Sequence, residues 1–213
     1  MFRNPIEILL SLPAVFLAMS FHEFAHAFAA DRMGDPTPRN QGRLTLDPLV
    51  HVDWTGLILF ALFGYGWAKP VQVNPSNFCS TRWGDILVSI AGPVANLVLA
   101  AVAALLYAVL ASLPNSSAAM HTILSIIDSI VYLNIVFFLL NLIPIPPFDG
   151  YHVVKDLFFR RFIRFFMEYE KVGIYILFAF VLFGLFDRII SRPAFQIYRF
   201  LVTTGLNLIS LFS

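Results

Sequence analysis

The chain has 213 residues, of which 59% are hydrophobic and 13% charged, with a mean hydropathy of +0.78 and a net charge of +1. A soluble domain carries about 25% charged residues, so this chain has too little polar coat for water and takes a lipid bilayer as its main solvent. The near-neutral charge excludes an electrostatic footprint for nucleic acid, and the single cysteine, Cys79, excludes an internal disulfide framework and reads as a small, partly buried residue.

The first apolar stretch covers about residues 6–30, with Pro5 near its start and a kink expected at Pro13. The Gly and Pro residues of "DRMGDPTPRN" end it. Its opening has the flavour of a secretory signal, and Ala25-His26-Ala27 looks like a cleavage site. Glu7 interrupts that pattern, and the segment reads as a retained helix. In "QGRLTLDPLVHVDWTG", Leu44 and Leu46 alternate with Arg43 and Thr45, the period of a short strand. "LILFALFGYGW" (57–67) is too short to span as a helix and predicts a re-entrant piece. The prolines of "AKPVQVNPSNF" predict an extended segment.

Further spans are predicted at about 86–110 and 123–144. "YHVVKDLFFRRFIRFFMEYEK" predicts an amphipathic surface helix. A fourth span is expected at about 172–186, and the tail "AFQIYRFLVTTGLNLISLF" is either a last short span or an interfacial helix. The expected fold is an all-α polytopic membrane protein with about four to five transmembrane helices and a small β-strand or re-entrant element after the first. It is expected to form one domain over 1–213, with a core at about 6–155 and C-terminal helices at 156–213.

Loop charges set the orientation. The loop 147–171 carries Lys155, Arg160, Arg161, Arg164 and Lys171, and the loop 31–53 carries Arg32, Arg39 and Arg43, whereas 111–122 has no Lys or Arg. The first and third spans therefore both end on the cytoplasmic side, and the re-entrant piece enters and leaves there.

Within the first span, "FHEFAH" places His22 and His26 four positions apart, on one helical face about one turn from each other. Glu23 is offset around the helix, within reach of a water without ligating the metal. This is the His-Glu-x-x-His arrangement of zinc metalloproteases. Ionisable residues cost about 2.5–3.5 kcal/mol or more at the bilayer centre. His22 lies about 13 Å of helix from Asp31, at ~1.5 Å per residue, too deep for easy snorkelling to the interface.

A catalytic zinc needs a third protein ligand and an open position. His51, Asp128, His152 and Asp149 remain open for that role. Asp149 is best placed, in "NLIPIPPFDG", where Pro144, Pro146 and Pro147 break the helix and Gly150 permits a sharp turn. An Asp-Gly pair is also an ordinary turn. Asn96 and Asn141 are amides inside predicted spans, suited either to helix–helix hydrogen bonds or to a carbonyl oxygen. His51 reads as an exposed loop residue, with a partner of a metal ligand or a substrate contact as the alternative, Asp128 as lying near the outer interface rather than as a buried acid, and His121 and His152 as solvated.

The ordered set "FHEFAHAFAADRMGD", "GRLTLDPLVHVD", "GWAKPVQVNP", "SIAGPVANL" and "NLIPIPPFDG" resembles the site-2 protease family of intramembrane zinc metalloproteases, in its membrane-only branch without PDZ or CBS domain. The resemblance implies one Zn²⁺ on His22, His26 and Asp149, with Glu23 as the catalytic glutamate. It also implies substrate or transition-state roles for Asn96 and Asn141. The expected substrates are transmembrane proteins, cut within or near their spans, and the expected location is multi-pass in the cell's inner or plasma membrane with the active site toward the cytoplasm. The alternative readings are a zinc-binding membrane transporter and a non-catalytic membrane binding protein.

Overall fold

The computed structural model describes residues 5–63, 66–114 and 117–211. Among them are eight α-helices: α1 (Pro5–Arg32), α2 (Thr37–Asn40), α3 (Pro48–His51), α4 (Trp54–Phe63), α5 (Thr81–Ala111), α6 (Ala118–Asn141), α7 (Asp149–Leu182) and α8 (Leu185–Ser210). Pro13 sits inside α1 without ending it. Helices α1, α5 and α6 pack against one another, α8 lies against α5 and α6, and α7 lies against α5.

The core between α5, α6 and α8 joins Ala100, Ala103 and Ala104 to Ile127, Val131 and Ile135 and to Phe186, Ile190 and Ala194. Lipid gives apolar helices no hydrophobic reason to associate, so close packing of small side chains carries the interface. The opposite face of α5 exposes Leu87, Ile90, Val94, Val98, Val102, Leu105 and Val109. Steps of three and four residues make that stripe one helical face, an apolar surface that water would not tolerate and acyl chains would.

Among the described residues, three helical stretches are long and apolar enough to cross a bilayer: Ile8–Arg32, Thr81–Ala111 and Ala118–Asn141. The pair Phe162–Leu182 and Leu185–Ser210, bent by 73°, brings the number up to four. The expected fourth span at about 172–186 falls on this bent pair and is broken within its length. The helix stops at Leu182, and Gly184, at φ +61, starts a new one in another direction. Hydropathy windows do not register a left-handed glycine. The tail is longer than expected: α8 has 26 residues and buries Phe186, Ile190, Ala194 and Gly205. The expected amphipathic helix, residues 151–171, lies within α7 and is interrupted by a break at Phe162 (φ −129, ψ 34).

The expected strand is not seen. The chain bends at Leu44 and Thr45, and the β-pairing among the described residues is one antiparallel bridge between Val52 and Ala68. Alternation needs a ladder partner to become a strand, and here Arg43 turns inward, 6% exposed, and donates to the Val50 carbonyl. The predicted re-entrant piece contains most of α4, which at 10 residues is about 15 Å long, half the ~30 Å hydrocarbon thickness. Gly64 and Tyr65 of that piece lie outside the described residues, as do the side chains of Arg160 and Arg161. Residues 68–74 form no helix, as their prolines require, and lead into a 3₁₀ turn at Pro75–Asn77.

Candidate metal centre

Helix α1 carries His22 and His26 inward, 8% and 9% exposed. The turn after α6 delivers Asp149, the first residue of α7, to the same point. The two Nε2 atoms are 2.9 Å apart, and Asp149 Oδ2 lies 3.2 Å from His22 Nε2 and 3.4 Å from His26 Nε2. Three donors held ~2.0–2.1 Å from a tetrahedral zinc stand about 3.3 Å from one another. The observed separations bracket that value, so His22, His26 and Asp149 form a cluster that could hold a metal ion.

Hydrogen bonds fix which ring nitrogens face the centre. His26 Nδ1 is 2.8 Å from the Val88 carbonyl, which can only accept, so Nδ1 carries the proton. His22 Nδ1 is 2.7 Å from Asn96 Oδ1. The orientation of that amide is set by its other end, because Asn96 Nδ2 donates to the Ala18 carbonyl at 2.9 Å and to Asn134 Oδ1 at 2.9 Å. Asn134 Nδ2 in turn donates to the Ile130 carbonyl at 2.8 Å. Each ring in its neutral form therefore directs an Nε2 lone pair toward the other, with a carboxylate oxygen alongside. Asp149 Oδ2 is buried and accepts no hydrogen bond in this structure. Three electron-rich atoms converging without a donor between them suit a cation, and the N₂O donor set suits zinc.

Asn96 and Asn134 are fully buried. The sequence raised Asn96 as a substrate or helix contact and did not raise Asn134. In the structure both amide hydrogens and the oxygen of Asn96 are engaged, by Ala18, Asn134 and His22. Partners of this kind set ligand orientation, and their loss costs about 10–100-fold in metal affinity. Asn96→Ala is accordingly expected to weaken zinc retention by about 10–100-fold in competition with a chelator, while Asn141→Ala leaves retention within about twofold of wild type.

Two glycines allow the helices to meet here. A Cβ on Gly92 would stand 2.4 Å from His26 Nε2 and 2.6 Å from His22 Cε1. A Cβ on Gly150 would stand 2.4 Å from the Leu142 carbonyl oxygen, so the glycine after Asp149 lets α7 start against the end of α6. "SIAGPVANL" thus supplies both Gly92 and Asn96 from one face of α5.

Glu23 is 7% exposed, and its Oε2 accepts the Val71 N–H at 2.8 Å. Glu23, His22, His26, Asp149 and Asn141 line one cavity of about 1130 Å³, together with apolar side chains such as Phe60, Val136, Phe137 and Ile190. Asn141 Nδ2 donates to its own helix at the Phe137 carbonyl, 3.0 Å away. His152 also lines this cavity and is partly buried, whereas His121 is exposed.

His51 is fully buried, contrary to the expectation of an exposed loop position. Its Nε2 donates to the Thr45 carbonyl at 2.8 Å. Asp128 accepts from the Tyr198 hydroxyl of α8. Cys79 is exposed rather than partly buried.

The profile of Peptidase family M50 matches residues 109–184. Over 145 residues the chain is 44% identical to YwhC of Bacillus subtilis, named as a candidate zinc metalloprotease, covering 67% of this chain and 66% of that protein. It is 33% identical over 144 residues to Rip2 of Mycolicibacterium smegmatis and over 145 residues to Rip2 of Mycobacterium tuberculosis, which carry the same kind of name; the match covers 65% of this chain and 53% of each relative. The chain thus spans just under two thirds of the Bacillus relative and about half of the mycobacterial ones. No solved structure matches the chain significantly.

Proposed function

We infer that this chain belongs to peptidase family M50, the site-2 protease family, and that it is an intramembrane zinc metalloprotease that hydrolyses peptide bonds within or near transmembrane segments of membrane-protein substrates. The observation that carries this reading is the convergence of His22, His26 and Asp149 beside Glu23, in one cavity between long apolar helices.

In this reading His22, His26 and Asp149 hold the zinc. Zinc, when bound, lowers the pKa of water to about 7 and polarises a carbonyl as a Lewis acid. Glu23 acts as general base: Oε1 accepts the proton of the attacking water while Oε2 stays on the Val71 N–H, and the proton then passes to the leaving amine. Asn96 orients His22. Asn141, at the cavity wall, is the amide available to a substrate carbonyl. The substrate helix must unwind locally, because its peptide groups are otherwise engaged in their own hydrogen bonds. The protein sits in the cell's inner or plasma membrane with the cavity reached from the cytoplasmic side, a reading supported by the basic residues that follow α1 and α6.

Zinc content and cleavage of single-span membrane proteins by detergent-purified chain test this. Wild type is expected to hold about one zinc and to cut; Asp149→Ala is expected to lose both. Full zinc retention by Asp149→Ala would overturn the ligand set. Zinc flux into liposomes without any cleavage would favour a transporter instead.

A further inference from the structure

Outside the candidate metal centre, the most heavily bonded buried group among the described residues is a carboxylate that takes no part in the ligand cluster. Asp35 is fully buried in the turn after α1. Its Oδ1 accepts from the Thr37 N–H at 3.1 Å, the Thr37 hydroxyl at 2.5 Å and Asn77 Nδ2 at 2.7 Å, and its Oδ2 accepts from the Asn74 N–H at 2.7 Å. Burial pushes this carboxyl up, and the donors from Asn74, Thr37 and Asn77 outweigh it and hold it below the usual carboxylate range. Two of the four bonds cross to residues 74–77, which end the segment that holds Glu23.

The other end of that segment is fixed as well. Val52 pairs with Ala68, and the Lys69 N–H donates to the His51 carbonyl at 2.8 Å. Arg43 Nη2 reaches the Pro70 carbonyl at 3.5 Å, while His51, which faces Arg43, is itself tied to Thr45. Between the two anchors lies Val71, whose N–H is the donor on Glu23 Oε2. A peptide segment with no ladder of its own has no intrinsic rigidity. The direction of the Val71 N–H is therefore set by its anchors, and a general base must sit within hydrogen-bond reach of its proton.

We propose that Asp35 is a positioning residue for Glu23, acting through Asn74 and the 68–74 segment to hold the Val71 N–H on the Glu23 carboxylate. This rests on the metalloprotease reading given above. A carboxylate held at one oxygen keeps the other directed at the attacking water. Freed, it samples rotamers that are not productive, so turnover falls while metal and substrate binding stay intact.

The experiment compares wild type, Glu23→Gln, Asp35→Asn and Asn77→Ala, all as zinc-loaded full chains. Asp35→Asn turns an N–H donor toward the Asn74 N–H and so removes the link to the segment. Asn77→Ala removes one of four bonds and is the milder probe should Asp35→Asn fold poorly. The expected result for Asp35→Asn is a roughly tenfold lower kcat, KM within about twofold, and about one zinc retained. Amide hydrogen exchange should quicken over 68–77 and stay unchanged in α5 and α6. Asn77→Ala should fall between Asp35→Asn and wild type in both exchange and kcat.

Faster exchange over 68–77 with wild-type kcat would overturn the proposal, because Glu23 would then not need its anchor. Loss of zinc, or faster exchange throughout α1 and α5 in both variants, would also overturn it, since Asp35 would then be a general structural residue. Failure of the enzyme reading looks different: wild type and Glu23→Gln would then be indistinguishable in cleavage, whatever Asp35 does.

Discussion

Glu23→Gln is expected to lower the cleavage rate by roughly 10²–10⁴-fold, the usual contribution of a positioned general base, and to leave the zinc content at the wild-type level. The structure separates those two effects. Glu23 is adjacent to His22 in sequence but is offset around the helix from the face where His22 and His26 converge, and its Oε2 is engaged by Val71 rather than by the ligand cluster. Glutamine preserves shape and burial but cannot take a proton. It also leaves the Val71 N–H an oxygen to bond, so the 68–74 segment should remain in place. Zinc analysis beside a cleavage time course checks this. Loss of zinc in Glu23→Gln would make Glu23 a ligand and overturn the assignment.

Gly92→Ala is the second large effect, and its sign is unusual. Alanine in a helix interior normally stabilises by about 0.5–1 kcal/mol relative to glycine. At this position the added methyl meets His26 Nε2 at 2.4 Å and His22 Cε1 at 2.6 Å, so both rings must move or α5 must withdraw from α1. His22 is held by Asn96, only one turn further along the same helix, which leaves little room for compensation. The expected outcome is helix content equal to wild type, zinc below half occupancy under mild chelation, and cleavage reduced about as far as in Glu23→Gln. Circular dichroism, zinc analysis and the cleavage assay on one preparation check it. A fully zinc-loaded, active Gly92→Ala would mean that α5 does not approach the two histidines this closely.

Part of the site is legible in the order of residues alone. The His22–Glu23–His26 spacing works through the helical repeat, so their shared placement follows from α1 being a helix. Asp149 is harder: an Asp-Gly after three prolines is equally a turn, and only its approach to the two histidines distinguishes the roles. Asn134 carried no sequence signal, being one amide in an apolar helix. His51 and Asp35 both lie in polar, proline-rich connections that read as exposed, yet both are fully buried. Loop composition reports average solvation and not whether a second loop covers the first.

Residue order is enough to make lipid the solvent, to mark three stretches as long membrane helices, and to put two imidazoles and a carboxylate within one turn. Composition and helical period are local properties, and local properties survive without knowledge of the fold. Three relations wait for the packed molecule: which carboxylate completes the cluster, which amide sets the His22 tautomer from 74 positions away, and which backbone N–H holds Glu23. They arise where α1, α5, the 68–74 segment and the start of α7 meet. Hydrogen bonds are short and directional, so such pairings depend on how separate elements pack and cannot be read from any one of them.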